Sequence, residues 1–145
     1  MGKLQHARSF RDLIVYQKSR AVSKHVFEVT KRFPNDETYS LTDQARRSSR
    51  SIGAQIAEAW AKRRYEKHFI SKLTDADGEQ QETQHWIDTA GDCGYLTQEE
   101  VRILNFELSE IGRMLNSMIE KVDEFCGEPD FAVRESSDDY FATDY

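Results

Sequence analysis

Cysteine is nearly absent from this chain, which holds only Cys93 and Cys126 among its 145 residues. The helices assigned below put the two near opposite ends of the last helix, about 40 Å apart at 1.5 Å per residue. A disulfide needs Cα atoms closer than about 7 Å, so both thiols are expected to be reduced and structural. Two cysteines without C-x-x-C spacing do not make a structural zinc site either. Long apolar runs are also missing. No stretch approaches about 18 consecutive apolar residues, and the opening MGKLQHARSF is short and polar. Neither a spanning helix nor a signal peptide is expected, which places the chain in the cytoplasm with no membrane partner.

The signatures of catalysis are missing too. The sequence has no G-x-S-x-G, no glycine-rich phosphate loop, and no cysteine set with a histidine by a recognisable motif. Glu82 and His85 form a single E-x-x-H, whereas a di-iron carboxylate bundle needs two such motifs and two further glutamates. His25 and Glu28 run in the reverse order, and His6 and His68 have no ligand-like spacing with His85. The expectation is therefore no metal, no cofactor and no enzymatic activity, with His85 at the surface or hydrogen-bonded.

No alternating run bounded by turns suggests a strand. Helical period dominates instead. Val101, Leu104, Leu108, Ile111, Leu115, Met118, Val122 and Phe125 follow an unbroken 3-4-3-4-3-4-3 spacing, a heptad seam opened by the capping box of Thr97 and Glu100. Val15, Ser19, Val22, Val26, Val29 and Phe33 repeat the spacing in a first helix that Ser9 or Asp12 opens and Pro34 stops. A second helix runs from an N-cap at Ser40 to about Arg64. A third begins near Glu66, carries Phe69, Leu73, Ala76, Gln80, Thr83, Ile87 and Ala90 on one side, and ends around Gly91 to Gly94. Short connections between four helices predict an all-α, antiparallel (up-down) four-helix bundle over residues 1–126.

Charge is unevenly spread. Residues 127–145 hold six acids and Arg134, or −5 of the chain's −6, and lack apolar periodicity. They read as a disordered acidic tail that leaves the domain at Gly127 and Pro129. Phe131, Tyr140 and Phe141 give it some capacity to dock on a partner.

Helix 2 poses the sharper problem, because it has two faces rich in small side chains. At 100° per residue, Leu41, Ala45, Ser48, Ile52, Ile56 and Ala59 share the bundle side with Trp60 on its flank. Ala54, Ala57 and Ala61 lie opposite, among Arg46, Arg50 and Arg64. That second strip is either a solvated surface of good helix formers or a contact where another subunit approaches closely. Gln44, Ser51, Gln55, Glu58 and Lys62 form a polar stripe between the faces. Within it Arg47, Ser51, Gln55 and Glu58 can pair at helical spacing, as a structural polar network at the edge of the core.

Arg46, Arg47, Arg50, Lys62, Arg63, Arg64, Lys67 and Lys72 gather at the ends of helix 2 and the start of helix 3. Such a cluster can hold a phosphate backbone or simply face water. Arg46, Arg50, Lys62, Arg63, Arg64 and Lys67 are the candidate contacts to RNA or DNA. Against nucleic acid stand a pI of about 5.3 and the absence of a recognition helix or stacking platform in the sequence.

The stretches FRDLIVYQKS, FPNDETYSLTDQARRSSRSIGAQIAEAW and FISKLTDADGEQQETQHWIDTAGDCGYL resemble the small bacterial four-helix bundle proteins first noticed as reading frames in intervening sequences of 23S ribosomal RNA genes. The family pattern is matched by Phe33, Pro34, Glu37, Tyr39, Leu41, Gln44, Arg47, Ser51, Ile52, Ile56, Ala57 and Glu58, and the resemblance covers residues 10 to 126. Gln55, Ala59 and the Gly78-Glu79 pair depart from it. The resemblance implies a homopentamer, related in fold to an accessory protein of diversity-generating retroelements that contacts nucleic acid and a reverse transcriptase. The expected function is a self-associating scaffold or accessory module that binds RNA or DNA. The alternative is a protein–protein adaptor with no nucleic-acid contact.

Overall fold

The computed structural model describes residues 7–126, and the acidic segment 127–145 lies outside the described residues. Four long helices, α1 (Ile14–Thr30), α2 (Asp43–Ala61), α3 (Glu66–Asp92) and α4 (Gln98–Glu120), are followed by a short α5 (Val122–Cys126). They pack as an antiparallel bundle in which α1 meets α2, α2 meets α3, α3 meets α4 and α4 closes back on α1, with the α2–α3 contact the broadest. No strand occurs among the described residues.

The α3 seam is buried residue for residue as its spacing predicts, from Phe69 to Ala90. The helix ends where Gly94 turns to φ +79°. Its N–H reaches the Gly91 carbonyl at 3.0 Å and the Tyr95 N–H reaches that of Ala90 at 2.9 Å, a Schellman cap that needs a residue free of a Cβ at this φ. The chain then reverses into α4. There Thr97 Oγ1 accepts from the Glu100 N–H at 3.1 Å while Glu100 Oε1 accepts from the Thr97 N–H at 2.9 Å. This closed box satisfies two donors that the first turn otherwise leaves open.

Leu104, Leu108, Ile111, Leu115 and Met118 fill the core from α4. The seam does not run straight to Cys126, however. Lys121 adopts φ −106° and ψ 35°, which ends α4 and leaves α5 as a separate short helix. The turn lays the buried Phe125 ring on Phe69, stacked with centroids 5.7 Å apart, which plugs this end of the bundle. Burial of an aromatic ring outweighs one broken turn of helix.

The start of α1 also differs from its sequence reading. Ser9 and Asp12 form a complete capping box, but on the single 3-10 turn Phe10–Asp12, and α1 begins only after the extended Leu13. At its other end α1 stops at Thr30, before Pro34, as Lys31 to Phe33 tighten into i→i+3 bonds. Ser40 is not the N-cap of the second helix. The chain already coils through a 3-10 turn at Asn35–Glu37 and a π turn at Thr38–Thr42, and the exposed Ser40 hydroxyl donates to Glu37 Oε1 at 2.8 Å. At its far end α2 stops at Ala61, three residues short of Arg64. The Arg63 guanidinium donates from Nε to the Trp60 carbonyl at 2.8 Å and thereby caps it.

Candidate functional site

The inward face of α2 is the one its periodicity predicts, with Ala45, Ser48, Ile52, Ile56 and Ala59 all buried, and Leu41 buried with them from the π turn that leads into it. The second strip stays uncovered: Ala54 and Ala61 are exposed and Ala57 is half-buried. Ala54 and Ala57, with Gly53, floor a groove of about 830 Å³ between α1 and α2, bounded by Tyr16 and Phe27 and rimmed by Arg20, Lys24 and Arg50. Gly53 sets its depth. A Cβ there would lie 3.0 Å from Ser19 Oγ and 3.3 Å from a Tyr16 ring carbon, so glycine is what lets α1 come this close to α2.

The basic residues read as one cluster divide into two. Arg46 and Arg50 face α1, where the Phe27 ring holds them at 4.7 and 5.6 Å, with the Lys31 ammonium 4.9 Å from the same ring. Arg46 Nε also donates to Thr30 Oγ1 at 2.8 Å. Lys62, Arg63, Arg64 and Lys67 sit at the α2–α3 corner, about 18 Å further along the axis at 1.5 Å per residue. There the Arg63 guanidinium lies 3.6 Å above the Trp60 ring.

The polar stripe faces α3. Arg47 donates to Glu82 Oε2 at 2.6 Å and has Glu79 at 3.9 Å. Glu58 meets Lys72 Nζ at 2.9 Å, and that hydrogen bond raises the Lys72 pKa above its ordinary value. Arg47 and Glu58 thus pair across the helix interface. Ser51 and Gln55 lie half-buried between them, and Gln55 Oε1 is buried with no hydrogen-bond partner among the described residues.

Glu82 of the E-x-x-H accepts from Arg47 and from Trp86 Nε1 at 3.2 Å, while the exposed His85 ring sits edge-on to Trp86 at 4.7 Å. His25 pairs with Glu107 at 3.0 Å. Among the described residues no three His, Cys, Asp or Glu side chains converge to hold a metal, and no helix is long and apolar enough to cross a membrane. Neither Cys93 nor Cys126 takes part in a disulfide.

Residues 11–117 match the family model described as the 23S rRNA-intervening sequence protein. The chain belongs to that family. A similar solved structure is that of a protein of unknown function from the S23 ribosomal protein family of Bacteroides thetaiotaomicron, 31% identical, with a TM-score of 0.66. The match covers 73% of this chain and 98% of that one. No curated protein matches the chain. Family membership thus agrees with the fold and with the motifs of α1 to α3.

Phe27 and Gly53 escaped the sequence reading of this face. Gly53 was legible in principle, as a glycine inside SIGAQIA where helix propensity favours alanine. Phe27 lies beside the α1 seam, and only the tertiary structure brings Arg46 and Arg50 to it.

Proposed function

We propose that this chain is a non-enzymatic helical scaffold that self-associates through the α1–α2 groove and carries its basic residues as a repeated surface for nucleic acid. The groove supports this reading above all. Its alanine and glycine floor lets a helix of another copy approach closely, and its cationic rim suits the carboxylates that an acidic chain supplies. A pentamer, which the family resemblance implies, places each basic group five times around a ring. A modest patch then becomes a strong, salt-sensitive attractor of phosphates. Sedimentation equilibrium at micromolar concentration tests the assembly. The expected species is about 85 kDa, five copies of the 16.9 kDa chain, and a monomer would sink the reading.

A second reading, a protein–protein adaptor, rests on a different face. Ile103 and Phe106, 37% and 60% exposed, lie about one turn apart on α4 and offer an apolar contact. An adaptor would self-associate or not, but would show no affinity for RNA or DNA at low salt.

A further inference from the structure

The sequence offered cations but no surface on which a base could stack; the α2–α3 corner supplies one. Tyr65 stands between α2 and α3 with 57% of its surface exposed, the most exposed aromatic near the basic residues of this corner. Its backbone is extended, and its carbonyl accepts from the Phe69 N–H at 2.9 Å, so the residue is fixed while its ring projects. His68 flanks the ring, with centroids 5.5 Å apart and planes tilted by 52°. Within residues 62–68 four cations, Lys62, Arg63, Arg64 and Lys67, lie within three positions of Tyr65 along the chain against one acid, Glu66. Among the described residues neither Lys62 nor Lys67 is held in an ion pair, in contrast to Lys72, which Glu58 holds.

We propose that this corner is a binding site for single-stranded RNA or DNA, in which one unpaired base stacks on Tyr65 while Lys62 and Lys67 contact the flanking phosphates. It deepens, and rests on, the nucleic-acid part of the proposed function. The observations favour a single strand over a duplex. A duplex hides its base faces and would leave an exposed ring on a tight helix corner with nothing to stack on, whereas an unpaired base presents a π-face to any accessible aromatic. Lysines, point charges on long flexible stems, also adapt to the variable path of a single-stranded backbone. An acidic peptide shares the charge of a phosphate backbone but has no base to stack on Tyr65. Substitution of the ring therefore tells the two apart.

Fluorescence anisotropy of labelled oligo-dT and oligo-U, with a duplex of equal length beside them, provides the test on the full chain over a salt series. Wild type is expected to bind the single strands more tightly than the duplex. Tyr65→Ala should weaken that binding about tenfold with an unchanged salt slope, and Tyr65→Phe should restore it, because stacking needs the ring and not the hydroxyl. Lys62→Gln with Lys67→Gln should reduce the slope of log affinity against log salt by about 1.4 per protomer, the amount for two phosphates on a single strand. Equal affinity of Tyr65→Ala and wild type, a preference for duplex, or equal competition by polyglutamate would overturn the proposal, the last assigning the corner to an acidic protein. Light scattering on the same samples separates this failure from that of the scaffold. A multimer that binds no single strand sinks the site alone, and a monomer that still binds sinks the assembly alone.

Discussion

Ser48 on α2 and Thr83 on α3 join their hydroxyls at 2.8 Å in the centre of the broadest helix contact, both fully buried. Thr83 has the Glu79 carbonyl at 2.8 Å and Ser48 the Ala45 carbonyl at 3.3 Å, so either hydroxyl can donate to the other while the second proton goes to a carbonyl of its own helix. Small hydroxyls are used here because they let the helices approach while keeping every proton partnered.

Each single change, Ser48→Ala or Thr83→Val, is expected to destabilise the fold by about 1–2 kcal/mol, since it leaves a buried group short of its partner. The double variant should cost less than the sum by at least about 0.5 kcal/mol. Urea unfolding of the four proteins measures the coupling, and strict additivity would show that the two hydroxyls act independently.

Tyr95, just after the α3–α4 turn, donates to Glu37 Oε2 at 2.8 Å and tilts against Phe33 at 5.6 Å, tying two connections together at one end of the bundle. That hydrogen bond to a carboxylate, with burial and the Glu37 charge behind it, pushes the phenol up to about 12 from an ordinary 10.0. A phenol whose pKa is raised on folding stabilises the folded state fully below pH 10, and that contribution is lost as pH rises from 10 towards 12. Ultraviolet titration should find one tyrosine ionising near pH 12, and Glu37→Gln should bring it down. Titration of every tyrosine near 10 in the wild type would remove the clamp.

The bundle is expected to end, energetically, at α5. Truncation after Cys126 should leave the melting temperature nearly unchanged. Phe125→Ala should cost about 3 kcal/mol or more, because it empties the space above Phe69. A loss of several degrees on truncation alone would mean that residues beyond Cys126 contribute to the folded state.

Much of this fold was legible in periodicity. The α3 seam and the inner face of α2 come straight from 3.6-residue spacing, because burial selects small and apolar side chains at fixed intervals. The helix ends were harder. Ser40 looks like an N-cap, yet Glu37 takes its hydroxyl and the chain is already coiled before it. Lys121 breaks α4 for the sake of Phe125, a tertiary gain that local propensity does not contain. At the candidate site, Ala54 and Ala57 were visible as a second small strip, but their groove with α1 depends on the approach at Gly53. The basic residues look like one cluster in the sequence because they bracket α2, one group on its N-terminal half and the other just beyond its C-terminus and on the first turn of α3, and the length of that helix separates them.

In the proposed assembly α2 joins copies of this chain through the strip at Ala57. Light scattering of wild type, of Ala57→Glu and of Arg102→Ala, a control on the exposed face of α4, reads that contact, with circular dichroism confirming that all three are folded. The expected result is a multimer for wild type and for the control, and a folded monomer or small species for Ala57→Glu, whose charge would be buried between helices. A monomeric wild type at micromolar concentration, or an undiminished multimer in Ala57→Glu, would contradict the claim.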